Sequence, residues 1–250
     1  MEFRKVFDRI PDDFDKGRLR YCDEAFADII QYSELSPEKS VLEIGPGTGQ
    51  ATEPILKTGC NYLAIEIGEH LAKYTINKFK KYSNFHLVND DFITYDFGDK
   101  KFDFIYSAAT IQWIPEEVAF TKVHSLLKEG GTFAMMLTHS DEKTANEALY
   151  EMIQEVYQNY FYPEERYTRH LEYSNIKNYG FTNYQVKEYH KKRQLNANQY
   201  ISWISTHAEH ITLKEPYKTQ FYDGIRDAIT SFENKIVIND TIVLYLCKKL

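Results

Sequence analysis

Val41-Leu42-Glu43-Ile44-Gly45-Pro46-Gly47-Thr48-Gly49-Gln50-Ala51-Thr52 is the stretch that decides the fold. Val41 to Ile44 is a short apolar run, the pattern of a buried strand. It breaks into a turn with glycine at every second position, and a candidate helix starts near Gln50. Glycine suits such a turn because it takes positive φ freely and has no side chain to keep a ligand from the backbone. A strand, a glycine turn and a helix N-terminus together make a site for a nucleotide-like ligand.

The spacing narrows that ligand. A dinucleotide fingerprint is G-x-G-x-x-G. Gly45, Gly47 and Gly49 give G-x-G-x-G, and Gln50 stands where the third dinucleotide glycine would fall. Gln50 also stands five residues after Gly45, so the G-x-x-x-x-G-K phosphate loop is absent. Glu43 precedes the loop by two residues. A carboxylate there repels a phosphate and receives an amino group.

With 250 residues the chain is long enough for one α/β domain with insertions or for two small domains. Its formal net charge is -7, and it has no long basic run. Nucleic-acid binding is mostly phosphate neutralisation by Lys and Arg, so no nucleic-acid partner is expected. Twenty tyrosines suit half-buried, pocket-lining positions. Cys22, Cys60 and Cys247 lie far apart, and no Cys/His cluster indicates a metal site or a disulfide framework. A reduced, cytoplasmic setting fits. The charged start, Met1-Glu2-Phe3-Arg4-Lys5, lacks a signal peptide's apolar core, and no apolar run reaches the length of a membrane span.

Further apolar runs follow the loop at Tyr62–Ile67, Phe85–Val88, Phe102–Ser107 and Phe133–Leu137, with helical periodicity between them. Five strands, each separated by a helix, argue a doubly wound, mostly parallel sheet. Its ligand crevice lies at the strands' carboxyl ends. Glu66 falls there, 21 residues after Gly45, where an acid accepts ribose hydroxyls or caps the next helix. Asp90-Asp91-Phe92 ends the third strand, a place where Asp-Asp is also ordinary turn chemistry. Lys73, Lys78, Lys80 and Lys81 are expected on a solvated helix face. Val186–Tyr189 is expected as a sixth strand and Thr241–Cys247 as the last. Four segments result: an N-terminal helical segment over 1–40, a core over 41–140, a helical cap with the sixth strand over 141–235, and a final strand over 236–250.

The loop resembles motif I of the class I S-adenosylmethionine (SAM) methyltransferases, E/D-x-G-x-G-x-G. Phe102-Asp103-Phe104-Ile105-Tyr106-Ser107 and the following Trp113-Ile114-Pro115 resemble the family's fourth strand and the segment after it. Leu127-Lys128-Glu129-Gly130-Gly131 resembles its L-K-P-G-G element, with Glu129 where proline is usual. Phe14–Tyr21 resembles its Y-D-x-x-R-P-x-Y lid, with Leu19 in place of proline, and is otherwise a solvated linker. The resemblance implies a Rossmann-like, seven-stranded sheet with an antiparallel last strand and a helical cap. It implies SAM as cofactor and S-adenosylhomocysteine as product. It places the cofactor on Glu43, Gly45, Pro46, Gly47 and Gly49, on Glu66 and Ile67, on Asp91 or Asp90 with Phe92, on Ser107 and Ala108, and under Arg18 and Tyr21.

A sulfonium methyl is already activated, so transfer needs the acceptor held close and in line. A general base is needed only for a protonated acceptor. His139 and His207 are the candidate bases, although a solitary histidine is often structural. Trp113, Arg193 and Trp203 are candidate substrate contacts. Adenine-amino methyltransferases carry N-P-P-Y or N-L-P-Y after strand four, whereas this chain has Ser107-Ala108-Ala109-Thr110. The stretches around Trp113 and Tyr200–Trp203 resemble the trans-aconitate methyltransferase branch, which implies a carboxylate acceptor. The expected partner is therefore a small-molecule methyl acceptor held under the cap. Two other readings stay open: a SAM- or nucleotide-binding regulator without turnover, and a nicotinamide oxidoreductase, which Gln50 disfavours.

Overall fold

The apolar run Val41–Ile44 lies inside a seven-stranded sheet. A computed structural model describes residues 3–164, 166–168 and 170–250. The strands are β1 (Ser40–Ile44), β2 (Asn61–Glu66), β3 (Phe85–Asn89), β4 (Phe102–Ala108), β5 (Leu127–Asp141), β6 (Phe181–Leu195) and β7 (Ile236–Lys249). They are ordered β3-β2-β1-β4-β5-β7-β6. β3 to β5 pair in parallel, and β7 and β6 run antiparallel. This is the expected doubly wound, mostly parallel, Rossmann-like sheet with its last strand antiparallel.

The helices are α1 (Pro11–Gly17), α2 (Asp23–Ser33), α3 (Thr52–Leu56), α4 (Glu69–Phe79), α5 (Glu116–Leu126), α6 (Glu147–Tyr160), α7 (Ala197–Ile204), α8 (Ala208–Ile211) and α9 (Tyr217–Ser231). No helix among the described residues is long and apolar enough to cross a membrane.

The chain divides into two compact units. One comprises Arg20–Leu137, Arg169–Tyr189 and Ile242–Leu250; the other comprises Met1–Leu19, Thr138–Thr168 and His190–Thr241. We call them the loop unit and the helical unit. This division cuts across the four sequence segments, because residues 169–189 and 242–250 belong with the sheet core.

In the loop unit, alternation along β1 sends its side chains to opposite faces. Leu42 and Ile44 join one buried layer, with Ile105, Phe120, Phe133 and Cys247. Val41 joins the other, with Phe26 and Ile29 of α2, Ile55 of α3, and Phe104 and Met136. Both faces are covered, so β1 is apolar from Val41 to Ile44 except for Glu43. α2 opens on Asp23 and Glu24, which favour a helix N-terminus, and buries Ala25, Phe26 and Ile29.

The helical unit has its own core, made by Leu149 and Ile153 of α6, Tyr200, Trp203 and Ile204 of α7, and Phe221, Ile225 and Ile229 of α9. Asn146 caps α6 by accepting the Leu149 N–H at 3.0 Å. Asn196 and Gln199 form a reciprocal capping box on α7.

β6 is longer than the expected Val186–Tyr189. It is an edge strand with mostly exposed or half-buried side chains. Edge strands tolerate charge, so Lys191 and Lys192 extend it beyond the expected segment, which itself holds Lys187 and Glu188.

Candidate cofactor site

Gly45, Gly47 and Gly49 all take the left-handed region, at φ of 66°, 58° and 81°. Two of them are also crowded. A Cβ on Gly45 would lie 2.3 Å from Cγ2 of Thr110, and one on Gly49 would lie 2.3 Å from Cε2 of Phe79. The loop is braced from β2, from α4 and from the segment after β4. Gly45 N–H donates to the Ile65 carbonyl of β2 at 2.9 Å. Thr110, just after β4, donates its hydroxyl to the Gly45 carbonyl at 2.9 Å. Thr75 of α4 donates to the Gly47 carbonyl at 2.6 Å, and Lys78 Nζ of α4 reaches the Thr48 carbonyl at 2.8 Å. Lys78 stays exposed, as expected, and its ammonium reaches the loop from that face. Pro46 is buried within the turn, and its carbonyl accepts the Gly49 N–H at 2.8 Å.

Glu66 ends β2 and is 4% exposed. One carboxylate oxygen accepts the Gly47 N–H at 3.0 Å and the other accepts the Gly68 N–H at 2.9 Å. It caps the turn into α4 and steadies the glycine loop together. Ile67 beside it is half-buried.

Glu43 is placed differently from its expected role as receiver of an amino group. Alternation turns it into the layer shared with α2 and α3, where it is 1% exposed. Its Oε2 accepts hydroxyl protons from Thr52 at 2.6 Å and Tyr62 at 2.5 Å, and Tyr62 in turn contacts the hydroxyl of Tyr106. Burial pushes the Glu43 carboxyl up to about 7, against the pull of the three hydroxyls. Burial likewise pushes both phenols well above their usual value.

After β3, Asp90 is exposed and its carboxylate accepts the Asp91 N–H at 2.7 Å. Asp91 accepts the Ile93 N–H at 2.9 Å, which shapes the turn. Phe92 does not lie open for ring stacking. It is 4% exposed and packs edge-on against Phe97 at 6.0 Å, because the segment after β3 folds back onto the core. Ser107 is fully buried and donates to the Ile44 carbonyl at 3.3 Å. Ala108 is half-buried, Ala109 is exposed at a left-handed φ of 54°, and Trp113 is half-buried. Tyr21 packs edge-on against Phe26.

The loop's three left-handed glycines leave its backbone bare of side chains, and acids stand at the ends of β2 and β3. These residues fit SAM: the glycines themselves put no side chain over the loop's backbone, and the acids suit hydroxyl and amino donors.

The remaining expected residues lie in the helical unit. Arg18 donates to the Thr206 carbonyl at 2.7 Å and stacks over Phe14. Arg193 does not stand ready for an acidic substrate: it is paired through two nitrogens with Asp240 and lies over Trp203. Trp203 is 7% exposed in the core of that unit. His139 is exposed and His207 half-buried. Burial first, then nearby Arg18, holds His207 well below the usual imidazole value. His210, absent from the sequence reading, shares a hydrogen bond with Tyr157 at 2.9 Å. No group of three or more potential metal ligands occurs among the described residues.

The sequence reading missed Thr75, Lys78 and Thr110 as braces of the loop. It also missed Tyr62 and Tyr106, although a signal existed. Tyr106 stands directly across from Glu43 in the β1–β4 register, and a ring with a polar tip opposite a buried acid invites a hydrogen bond.

The model of the ribosomal RNA adenine dimethylase family matches residues 23–158, just over half of the chain. The chain belongs to the ribosomal RNA adenine dimethylase family. The match contains the glycine loop, Glu66, Asp91 and Ser107. Relatives agree. The rRNA adenine N-6-methyltransferase of Limosilactobacillus reuteri is 26% identical over 235 residues, 89% of this chain and 91% of that protein. The ribosomal RNA small subunit methyltransferase A of Clostridium acetobutylicum is 31% identical over 110 residues, 42% of this chain; the matched part is only 38% of that relative's length. Among solved structures, a Haemonchus contortus phosphoethanolamine N-methyltransferase in complex with S-adenosylhomocysteine superposes at a TM-score of 0.58, covering all of this chain and 60% of that one, at 16% identity. At that identity the likeness is one of fold.

As a ribosomal RNA adenine dimethylase family member, the chain has the class I SAM-dependent methyltransferase fold, and SAM is the cofactor of that class. The small-molecule type, and with it the expectation of no nucleic-acid partner, is overturned by the family match. The charge argument failed because a net -7 sums the whole chain, whereas phosphate contacts depend on local placement of Lys and Arg.

Proposed function

We propose that this protein transfers a methyl group from SAM to the exocyclic amino group of an adenine in RNA. The observation that carries the acceptor is the family match over residues 23–158. SAM supplies a sulfonium methyl open to in-line attack. The chain's own residues supply position. Glu66 and Asp91 or Asp90 offer carboxylates to the ribose hydroxyls and the adenine amino group of the cofactor. Thr75, Lys78 and Thr110 hold the carbonyls of Gly47, Thr48 and Gly45 and keep the loop in shape.

An adenine amino lone pair is delocalised into the ring, so transfer is helped by acceptors that draw its hydrogens aside. This chain has Ser107-Ala108-Ala109-Thr110 where N-P-P-Y would supply a side-chain amide. The carbonyls of Ala108 and Ala109 accept from Thr110 at 3.3 Å and Gln112 at 3.0 Å, and each has a second lone pair for that role. No strong base is required, because the methylated amino group loses its proton readily to water.

The test is incubation of the full chain with methyl-labelled SAM and ribosomal RNA, followed by nucleoside analysis. Label in N6-methylated adenosine is expected. SAM binding with no label in RNA would overturn the acceptor; no SAM binding would overturn the cofactor.

A further inference from the structure

Beneath the glycine loop lies a chain of proton-bearing groups that the proposed chemistry does not use. Glu43, Tyr62 and Tyr106 are 1%, 2% and 0% exposed. Glu43 Oε2 is 2.5 Å from the Tyr62 hydroxyl, that hydroxyl contacts the Tyr106 hydroxyl, and the latter lies 3.4 Å from the Ala51 carbonyl. Thr52 ties the same carboxylate oxygen to the first residue of α3 at 2.6 Å. Ala51 and Thr52 are where the loop ends and α3 begins.

Each hydroxyl donates once, so the line has two polarities. With Glu43 ionised, Tyr106 donates to Tyr62 and Tyr62 to Glu43, and the Ala51 carbonyl receives no phenol proton. With Glu43 protonated, Glu43 donates to Tyr62, Tyr62 to Tyr106, and Tyr106 to Ala51. One proton enters or leaves at Glu43, and the phenol hydrogens turn round. The surrounding layer adds the buried thiol of Cys60 beside Tyr106, and Tyr21, Cys22, Tyr32, Tyr82 and Tyr189 pack half-buried against it. α2 brings Ala25, Phe26 and Ile29; α4 brings Phe79; β5 brings Ala134 and Met136; β7 brings Leu244 and Leu246.

We infer that Tyr62 and Tyr106 are positioning residues for the cofactor loop: through Glu43 they decide whether the Ala51 carbonyl is held, and so set the start of α3. The inference rests on the reading of this loop as the SAM seat. Burial and hydroxyl donors leave Glu43 near neutrality, so both polarities are populated there. A sulfonium near the loop favours the ionised carboxylate, and the uncharged sulfur of S-adenosylhomocysteine does not. SAM binding therefore releases protons from Glu43, and more of them than product binding does.

Carbon NMR of carboxyl-labelled glutamate in the unliganded protein tests the proton line directly, with Glu43→Gln assigning the signal. Glu43 is expected to titrate near neutral pH. Tyr106→Phe and Tyr62→Phe each remove a donor that favours the carboxylate, so both move the midpoint upward, by about half a unit or more. A midpoint in the ordinary carboxylate range, or one unmoved by both variants, overturns the inference. Calorimetry in two buffers of different ionisation heat supplies the second arm. Proton release should be larger with SAM than with S-adenosylhomocysteine and should vanish in Glu43→Gln; release that survives in Glu43→Gln overturns the link to the cofactor. A wild type that binds no SAM sinks the cofactor reading, while the carbon spectra still decide the proton line.

Discussion

The carboxylate of Glu66 and the N–H of Gly47 meet at 3.0 Å. The acid assigned to the ribose is thus also a strut of the loop. Glu66→Ala should lower SAM affinity about ten- to a hundredfold, the effect of losing a charged hydrogen-bond acceptor worth roughly 1.5–3 kcal/mol. It should also lower the thermal midpoint of the unliganded protein, because the Gly47 and Gly68 N–H groups lose their acceptor. Glu66→Gln should restore the midpoint more than the affinity. Calorimetry and thermal unfolding read the two effects separately; unchanged affinity in Glu66→Ala would place the ribose elsewhere.

Gly45 is held by two constraints that a double variant separates. Gly45→Ala puts a methyl onto Thr110 and strains the backbone at φ 66°. A loss of SAM binding and about 1–3 kcal/mol of stability is expected. Adding Thr110→Ser removes the nearest clashing atom, the methyl at 2.3 Å, while keeping the bracing hydroxyl, whose oxygen would still lie 2.8 Å from the new Cβ. It should recover part of the stability and leave the backbone strain. Full recovery would mean that the left-handed conformation costs nothing there.

In the helical unit, Asp240 has a fully buried side chain, paired with Arg193 and bonded to Ser140 at 2.6 Å. Arg193→Ala leaves that charge alone, at a cost of roughly 3–5 kcal/mol. Adding Asp240→Asn should return much of the loss. Urea unfolding measures both. A catalytic assay should find the acceptor KM of Arg193→Lys little changed; a large rise in KM with intact stability would reinstate Arg193 as a substrate contact.

Glu43 predicts a slope of stability with pH. Its folded value of about 7 lies above the ordinary 4.5, so the folded chain holds the proton more tightly than the unfolded one. The resulting stability is complete below the ordinary value and is lost as pH rises towards 7. Glu43→Gln has no such slope. Relative to wild type it should therefore gain stability between about pH 5 and about pH 8, by up to about 3 kcal/mol. Parallel curves for the two proteins would show that Glu43 titrates normally.

β1, β2, β4 and β5 were legible because parallel strands inside the sheet leave largely apolar runs, and because only glycine suits the loop at Gly45, Gly47 and Gly49; β3, at the other edge, still shows Phe85, Leu87 and Val88. Only the middle of β6, Val186–Tyr189, was legible; its full length was not, since its edge position removes the need for apolar residues. Phe92 was misplaced because its neighbour Asp91 belongs to a turn, and only the packed structure tells that the chain there dives into the core. Lys78 looked like its neighbours Lys73 and Lys81, since nothing local marks a helix face that meets a loop carbonyl. The acceptor was misread for a broader reason. The motifs from 41 to 138 describe a cofactor seat shared by enzymes with many acceptors, and the Ser107-Ala108-Ala109-Thr110 departure was weighed more heavily than the kinship of the whole stretch.

The strand order has a consequence for the chain while it is being made. β6 has β7 as its neighbour in the sheet, yet β7 follows it in sequence, beginning at Ile236 after β6 ends at Leu195. On a ribosome, β6 therefore emerges before the strand it pairs with exists, and α7, α8 and α9 must be synthesised in the interval. During that wait both its edges are open to other nascent chains. Lys187, Lys191 and Lys192 along β6 are the kind of charge that keeps an unpaired edge from sticking, so the charge that blurred the strand's far end also protects the strand during birth.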